Sequence, residues 1–357
     1  MRREIAELGR RSKAASRELA TASTTLKDDA LRAAADLLVA RTEEVLAANA
    51  ADVEAAESEG VSATVIDRLR LTAARVASMA AGLRQVAELP DPVGEVLDGW
   101  VRPNGLRITR VRVPLGVVAI IYENRPNVTS DAAGLCLKSG NAAFLRGSSG
   151  AIRSNIVIAA ILREAIAATG LPADSVILVE DVSREAAVEF MRLRDSVDCL
   201  IPRGGPSLIR SILDNATVPY VIDGDGNCHV YVDAEADLAM ATSIIVNAKT
   251  QRPSVCNAAE TLLVHASVAE EFLPMAAEAL GGVELLTDRR ASALIPDSTP
   301  ADESAWSTEF LDLRLAVKVV DDLDDAIDHI ATYGSGHSEA IITLSLIHIS
   351  EPTRPER

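Results

Sequence analysis

Four cysteines occur in the chain, Cys136, Cys199, Cys228 and Cys256, and the last has surroundings unlike the others. Cys256 lies in "NAKTQRPSVCNAAETLLVH", Asn247 to His265, among small and polar residues just before an apolar run that reads as a buried strand. An ordinary thiol has a pKa of about 8.5 and is only a few per cent thiolate at neutral pH, yet it is already a strong nucleophile. Such a group suits attack on an activated acyl carbon; the alternative is a buried cysteine acting as a small hydrophobe. That second role suits Cys136, Cys199 and Cys228, each within or beside an apolar strand or helix. Lys249 and Arg252 precede Cys256 and would favour its thiolate by their positive charge, or else form a pair of exposed loop cations. A tetrahedral oxyanion needs preorganised donors, and a side-chain amide at a strand end is a good one. Asn124 in "YENRPN" occupies such a place, unless it serves only the turn before Pro126.

Two further stretches end a strand and open a helix. In "FLRGSSGA" the backbone N–H groups around Gly147 and Ser148, with Arg146, could meet the ribose and phosphates of a dinucleotide. "IPRGG" repeats the arrangement with Arg203, Gly204 and Gly205. Neither is a GxGxxG fingerprint. His337, in the glycine-flanked "YGSGHSE", could bind phosphate or donate a proton, or be a solvated loop histidine.

The elements that must position these residues follow from periodicity. From Ile5 to about Glu88 the chain is alanine-rich and charged, with Leu31, Leu37, Leu38, Val45 and Leu46 at three-to-four-residue spacing, which predicts amphipathic helices. "LPDPVGEVLDGWVRPNG" concentrates proline and glycine, and "LRITRVRVP" then alternates like a half-exposed strand, so a projecting hairpin is expected. "GVVAII" is the β-branched run of a buried parallel strand and delivers "YENRPN" at its end. Strand and helix then alternate through "AAFLRG", "SVILVE", "VDCLIPRG" and "PYVIDGDG", with a second set from "CHVYVD" to "SEAIIT". The pattern predicts a doubly wound sheet with ligand-binding loops at strand ends.

With 357 residues at 48% hydrophobic, two substantial cores are within reach. The 52 acidic and 35 basic residues give a net charge of -17, which repels nucleic acid and anionic membrane surfaces. No CxxC pair or histidine cluster has metal-ligand spacing, so no metal is expected, and the cysteine usage reads as a reduced, cytoplasmic chain. The longest apolar run, Ile156 to Leu162, is far too short to span a bilayer, and the N-terminus has no signal-peptide pattern.

Taken together, "VPLGVVAIIYENRPNVTSDAAGLCLKSGNAAFLRGSSGA", "LIPRGGPSLI", "IDGDGNCHVYVD", "NAKTQRPSVCNAAETLLVH" and "YGSGHSEAIIT" closely resemble the gamma-glutamyl phosphate reductases, or glutamate-5-semialdehyde dehydrogenases, of the aldehyde dehydrogenase superfamily. The resemblance runs from about Ile5 to Thr343 and implies an aldehyde dehydrogenase-like α/β fold of two doubly wound domains plus an oligomerisation hairpin. Residues 1–228 would hold the N-terminal helices and the dinucleotide-binding domain, with the hairpin near 96–113, and 229–343 the catalytic cysteine domain. It implies reduction of L-glutamyl 5-phosphate to glutamate 5-semialdehyde, the second step of proline biosynthesis from glutamate. NADPH is the implied cofactor, the arginines near the nucleotide fitting a 2′-phosphate, and a homo-oligomer the implied assembly. Cys256 matches the nucleophile, forming a thioester that hydride converts to a thiohemiacetal. Asn124 matches the asparagine that shares the oxyanion hole with the cysteine's backbone N–H.

Candidates for the substrate's carboxylate and phosphate are Arg125, Lys249, Arg252, Ser335 and His337. Hydrolytic members of the superfamily carry a base glutamate where this chain has Ile222, followed by Asp223. A reductase that discharges its thioester by hydride needs no such base, so this departure favours reduction over aldehyde oxidation. "LSLIHISEPTRPER", 344–357, departs from the family, so a truncated chain with a foreign tail and an open hairpin edge is expected. A non-catalytic dinucleotide-binding protein is then the rival reading.

Overall fold

The computed structural model describes residues 2–222 and 225–350. They form two compact units divided at 222/223, not at 228, because Cys228 already opens a strand of the second unit.

The first unit begins with five helices, α1 (Arg2–Leu19), α2 (Thr24–Ala40), α3 (Thr42–Ser58), α4 (Ala63–Leu69) and α5 (Ala73–Glu88). Leu31, Leu38 and Val45 are buried, as their spacing predicts, while Leu37 and Leu46 pack partly buried against the same core. A two-stranded antiparallel hairpin follows, β1 (Val96–Val101) and β2 (Arg107–Val111). Both of its faces are exposed rather than one, since no described residue of the unit covers Val96, Trp100 or Val111. Then come β3 (Val117–Tyr122), α6 (Asn127–Lys138), β4 (Ala142–Arg146), α7 (Ile152–Ala168), β5 (Val176–Leu178), α8 (Arg184–Phe190), β6 (Cys199–Arg203) and α9 (Pro206–Asn215). The sheet order is β5-β4-β3-β6, all parallel. Chain order therefore reverses between β3 and β6, which makes their C-terminal loops the switch point of a doubly wound sheet. "PYVIDGDG" does not become a strand; only Tyr220 makes an isolated bridge to Leu200.

The second unit contains β7 (Cys228–Val232), α10 (Leu238–Thr250), β8 (Ala259–His265), α11 (Ala266–Ala279), β9 (Glu284–Thr287), α12 (Arg289–Ser292), β10 (Thr299–Pro300), β11 (Arg314–Val320), α13 (Leu323–Tyr333), β12 (Glu339–Ile342) and α14 (Leu346–Ser350). Its sheet is also parallel throughout, in the order β10-β9-β11-β8-β7-β12. Strand alternation sends Val230, Val232, Leu262, Val264, Val317 and Val319 to one core. The opposite face carries Tyr231, Leu263 and Val320 against α13. His229 and Thr261 are cross-strand partners at one end of that face. His329 of α13 packs edge-on to His229, with the Lys318 ammonium 3.2 Å from its Nδ1. Burial first, then Lys318 and His229, push the His329 imidazole down to about 3.

Two stability predictions follow from this packing. The carboxylate of Asp52, on α3 and fully buried, accepts from Ser154 N at 2.8 Å and Ser154 Oγ at 2.7 Å, capping α7 from 102 residues away. Asp52→Ala is expected to cost about 2–3 kcal/mol, read as a lower urea midpoint, and Asp52→Asn less, because an acceptor remains. For His329, the unfolded chain takes up a proton below about pH 6.5 that the folded chain refuses until about pH 3. Stability is therefore level above pH 6.5 and falls below it, by up to about 1.4 kcal/mol per pH unit. Between pH 7 and 5 the wild type is expected to lose about 2 kcal/mol more than His329→Gln in parallel denaturation curves.

Candidate active site

Cys256 is the one exposed cysteine of the four; the other three are buried, as their apolar settings predict. It lies in the loop between α10 and β8, shaped by turns from Val255 N to Arg252 O and from Ala258 N to Val255 O. The next strand begins irregularly: Cys228 pairs with Ala259 but His229 with Thr261, which leaves Glu260 as the extra residue of a bulge. The bulge turns the Glu260 side chain inward, where its Oε2 accepts from Lys249 Nζ at 2.6 Å and its Oε1 from Leu311 N at 3.1 Å. Both side chains are completely shielded, so burial pushes the Glu260 carboxyl up and the Lys249 ammonium down.

Lys249 is therefore corrected from a loop cation offered to substrate to a buried helix residue committed to Glu260. Leu311, held by that carboxylate, has φ 53, the left-handed region that a leucine seldom adopts without such a partner. The same loop carries Glu309, whose Oε1 accepts from Gly226 N at 3.0 Å. A Cβ on Gly226 would stand 1.7 Å from Cys256 O, so the backbone of the candidate nucleophile is pressed directly onto this glycine.

The loop after α13 meets the same place. Ser335 Oγ accepts from Asn227 N at 3.1 Å, and His337 Nδ1 lies 3.7 Å from Cys228 Sγ. Cys228 Sγ in turn donates to Cys256 O at 3.2 Å. Ser335 and His337 are thus joined to the Cys256 loop through residues 226–228. Arg252 is exposed on that loop. Ile222 is exposed at the end of the first unit, and Asp223 lies outside the described residues.

In the first unit the switch-point loops converge. Glu123 N donates to Arg203 O at 3.1 Å, and the Glu123 carboxylate accepts from Gly205 N at 3.2 Å, at the N-terminus of α9. A carboxylate thus already rests on the Gly205 amide, as the partial positive charge of a helix N-terminus favours. Arg203 is exposed and Arg125 partly buried. Asn124 Oδ1 accepts from Ser148 Oγ at 2.5 Å, and a Cβ on Gly150 would press against it at 2.6 Å. Among the described residues the Asn124 Nδ2 group has no acceptor.

The stretch "FLRGSSGA" behaves differently from the expectation of a phosphate cradle. Arg146 donates through Nη2 to the carbonyls of Val182 and Ser183, both at 2.8 Å, because its guanidinium is buried under the loop after β5. A Cβ on Gly147 would strike Asn155 Nδ2 at 2.2 Å, Ser148 is committed to Asn124, and Asp52 takes the first amides of α7. These residues build the Asn124 loop. Glu123, Glu260, Glu309, Gly226 and Asp52 were not singled out in the sequence; the bulge and the helix caps that give them roles have no signature in a single chain.

Gly226→Ala is expected to lower turnover by about 100-fold or more, because the added methyl must displace the Cys256 peptide. Circular dichroism should remain that of the folded chain.

The aldehyde dehydrogenase family model matches residues 2–296. The chain is 55% identical over 342 residues to the gamma-glutamyl phosphate reductase of Syntrophomonas wolfei, covering 95% of this chain and 82% of that protein. It is 54% identical over 342 residues to that of Moorella thermoacetica, with the same coverage. A crystal structure of gamma-glutamyl phosphate reductase from Thermotoga maritima superposes with a TM-score of 0.90 at 47% identity, covering 96% of this chain and 83% of that one. An acetylating aldehyde dehydrogenase from Geobacillus thermoglucosidasius, 19% identical with a TM-score of 0.70 over 99% of this chain and 84% of its own, shares the fold.

Proposed function

The chain belongs to the aldehyde dehydrogenase family and, within it, to the gamma-glutamyl phosphate reductases, and on that footing we propose that it reduces L-glutamyl 5-phosphate to L-glutamate 5-semialdehyde with NADPH, releasing phosphate, as the second step of proline biosynthesis. The observation that carries the reading is the exposed Cys256 on a loop whose backbone is fixed by Gly226.

In this reading Cys256 Sγ attacks the acyl carbon, forming a C–S bond while the charge passes to the carbonyl oxygen. The backbone N–H of Cys256 is one donor for that oxyanion, and the family resemblance implies the Asn124 amide, whose Oδ1 accepts from Ser148 Oγ, as the other. The C–O bond to phosphate then breaks, and phosphate leaves with the bonding electrons. The hydride for the thioester carbon held on Cys256 would come from a bound nicotinamide, leaving a thiohemiacetal on that sulfur. Collapse returns the electron pair to Cys256 Sγ and releases the aldehyde. No step requires an activated water, in keeping with Ile222 at the position where hydrolytic members of the superfamily have a base. Arg125, Arg252, Ser335 and His337 are the remaining candidates for the substrate's carboxylate and phosphate.

The residues around the switch point fit a dinucleotide. Gly204 and Gly205 offer backbone amides at the start of α9, Glu123 marks the place of an anion there, and exposed Arg203 suits a 2′-phosphate. Arg146, Gly147 and Ser148 would act by shaping the adjoining loop. The exposed apolar side chains of the hairpin, Val96, Leu97, Trp100, Val101 and Val111, support self-association through that element.

The test follows phosphate-dependent oxidation of glutamate 5-semialdehyde, the reverse direction, by NADPH absorbance. Cys256→Ala is expected to lose at least about 10³-fold in kcat while the chain stays folded. A Cys256→Ala chain that turns over the semialdehyde as well as the wild type does would overturn the assignment.

A further inference from the structure

Cys228 opens β7 with a buried side chain, and its sulfur reaches the carbonyl oxygen of Cys256 at 3.2 Å. Burial, reinforced by Glu339, pushes the Cys228 thiol up to about 12, so at neutral pH the sulfur carries its proton and is a donor rather than a second nucleophile. The other side of the same sulfur faces His337 Nδ1 at 3.7 Å, and that nitrogen is 2.9 Å from Ser338 Oγ. Cys256 O is also the atom onto which Gly226 is pressed. The peptide following Cys256 is thereby gripped from two sides. Rotation about the Cα–C bond of Cys256 would break the S–H contact and collide with Gly226, so the direction of the Cα–Cβ bond is set by the entry to β7.

We propose that Cys228 is a positioning residue for Cys256: its S–H holds the Cys256 carbonyl while its sulfur atom rests against His337 Nδ1, so that the nucleophilic sulfur is aimed before substrate arrives. This role rests on Cys256 being the nucleophile. A misplacement of about 1 Å at a reacting atom can cost on the order of 100-fold in rate, so a weak hydrogen bond can matter to catalysis well beyond its part in stability.

Three variants of the full chain test it. Cys228→Ala and Cys228→Val remove the donor, the second while retaining bulk, and Cys228→Ser keeps an O–H. The first two are expected to lower kcat about 10- to 100-fold with KM within about 2-fold, and the serine variant to recover to within about 3-fold of wild type. Wild-type kcat in the alanine and valine variants would overturn the proposal. A serine variant as impaired as alanine would do the same, by making volume the cause.

A second readout does not depend on the substrate: the rate at which iodoacetamide alkylates Cys256 in the folded proteins, followed by peptide mass spectrometry. That rate is expected to change by about 3-fold or more in Cys228→Ala and Cys228→Val and to return in Cys228→Ser. Equal rates in all four proteins would sink the positioning role. The expected alkylation pattern in a wild type without turnover would leave it standing and count against the reductase reading instead.

Discussion

A buried ion pair organises the second unit. Lys249 and Glu260 have no exposure at all, and removing either partner would strand a charge away from water, at a cost of about 3–5 kcal/mol. The pair also does directional work. Glu260 can reach Lys249 only because β8 bulges at that residue, and its second oxygen holds Leu311 in a left-handed conformation. The loop so fixed presents Glu309 to the amide of Gly226, and Gly226 bears on Cys256. One desolvated pair thus specifies the backbone on which an exposed thiol sits.

The first unit uses carboxylates in a contrasting way. Asp52 is buried against the start of α7 and is structural, since its two oxygens replace the hydrogen bonds that the first helical amides lack. Glu123 stands exposed at the start of α9 and holds Gly205 N through a single contact at 3.2 Å. Both helix ends favour negative charge for the same electrostatic reason. Solvent access separates them: a buried cap cannot be exchanged for a ligand without unfolding, whereas an exposed one can give way to a phosphate.

The two units place their chemistry at different kinds of position. In the first, candidate groups gather at the C-terminal ends of β3 and β6, where the sheet order reverses and adjacent loops diverge. In the second, Cys256 precedes β8, at the strand's N-terminal end, and depends on a bulge and a glycine contact in place of a switch point. The cysteines follow suit. Cys136 and Cys199 are ordinary buried side chains, whereas Cys228, equally buried, has its sulfur on the carbonyl of the exposed cysteine.

Much of this was legible in the residues. The apolar run at 116–121 predicts a strand buried on both faces, and every residue of β3 is buried; the polar setting of Cys256 predicts its exposure; the proline- and glycine-rich break before 106 predicts the hairpin. These are properties of a single element, carried by local periodicity and by residues that restrict φ. Residues 219–222 were misread because an apolar run cannot show whether a neighbouring strand is there to pair with it; only Tyr220 found one. Lys249 and Arg146 were misread as ligand cations because charge in a sequence does not reveal its partner, and tertiary packing buried both. The same holds for Asp52 on α7, Glu309 on Gly226 and Cys228 on Cys256. Sequence alone determined most of the elements, the fold class and the reactive residue types. Tertiary structure decided which polar groups are used up inside the protein and which remain for a ligand, because desolvation and hydrogen-bond geometry act between residues far apart in the chain.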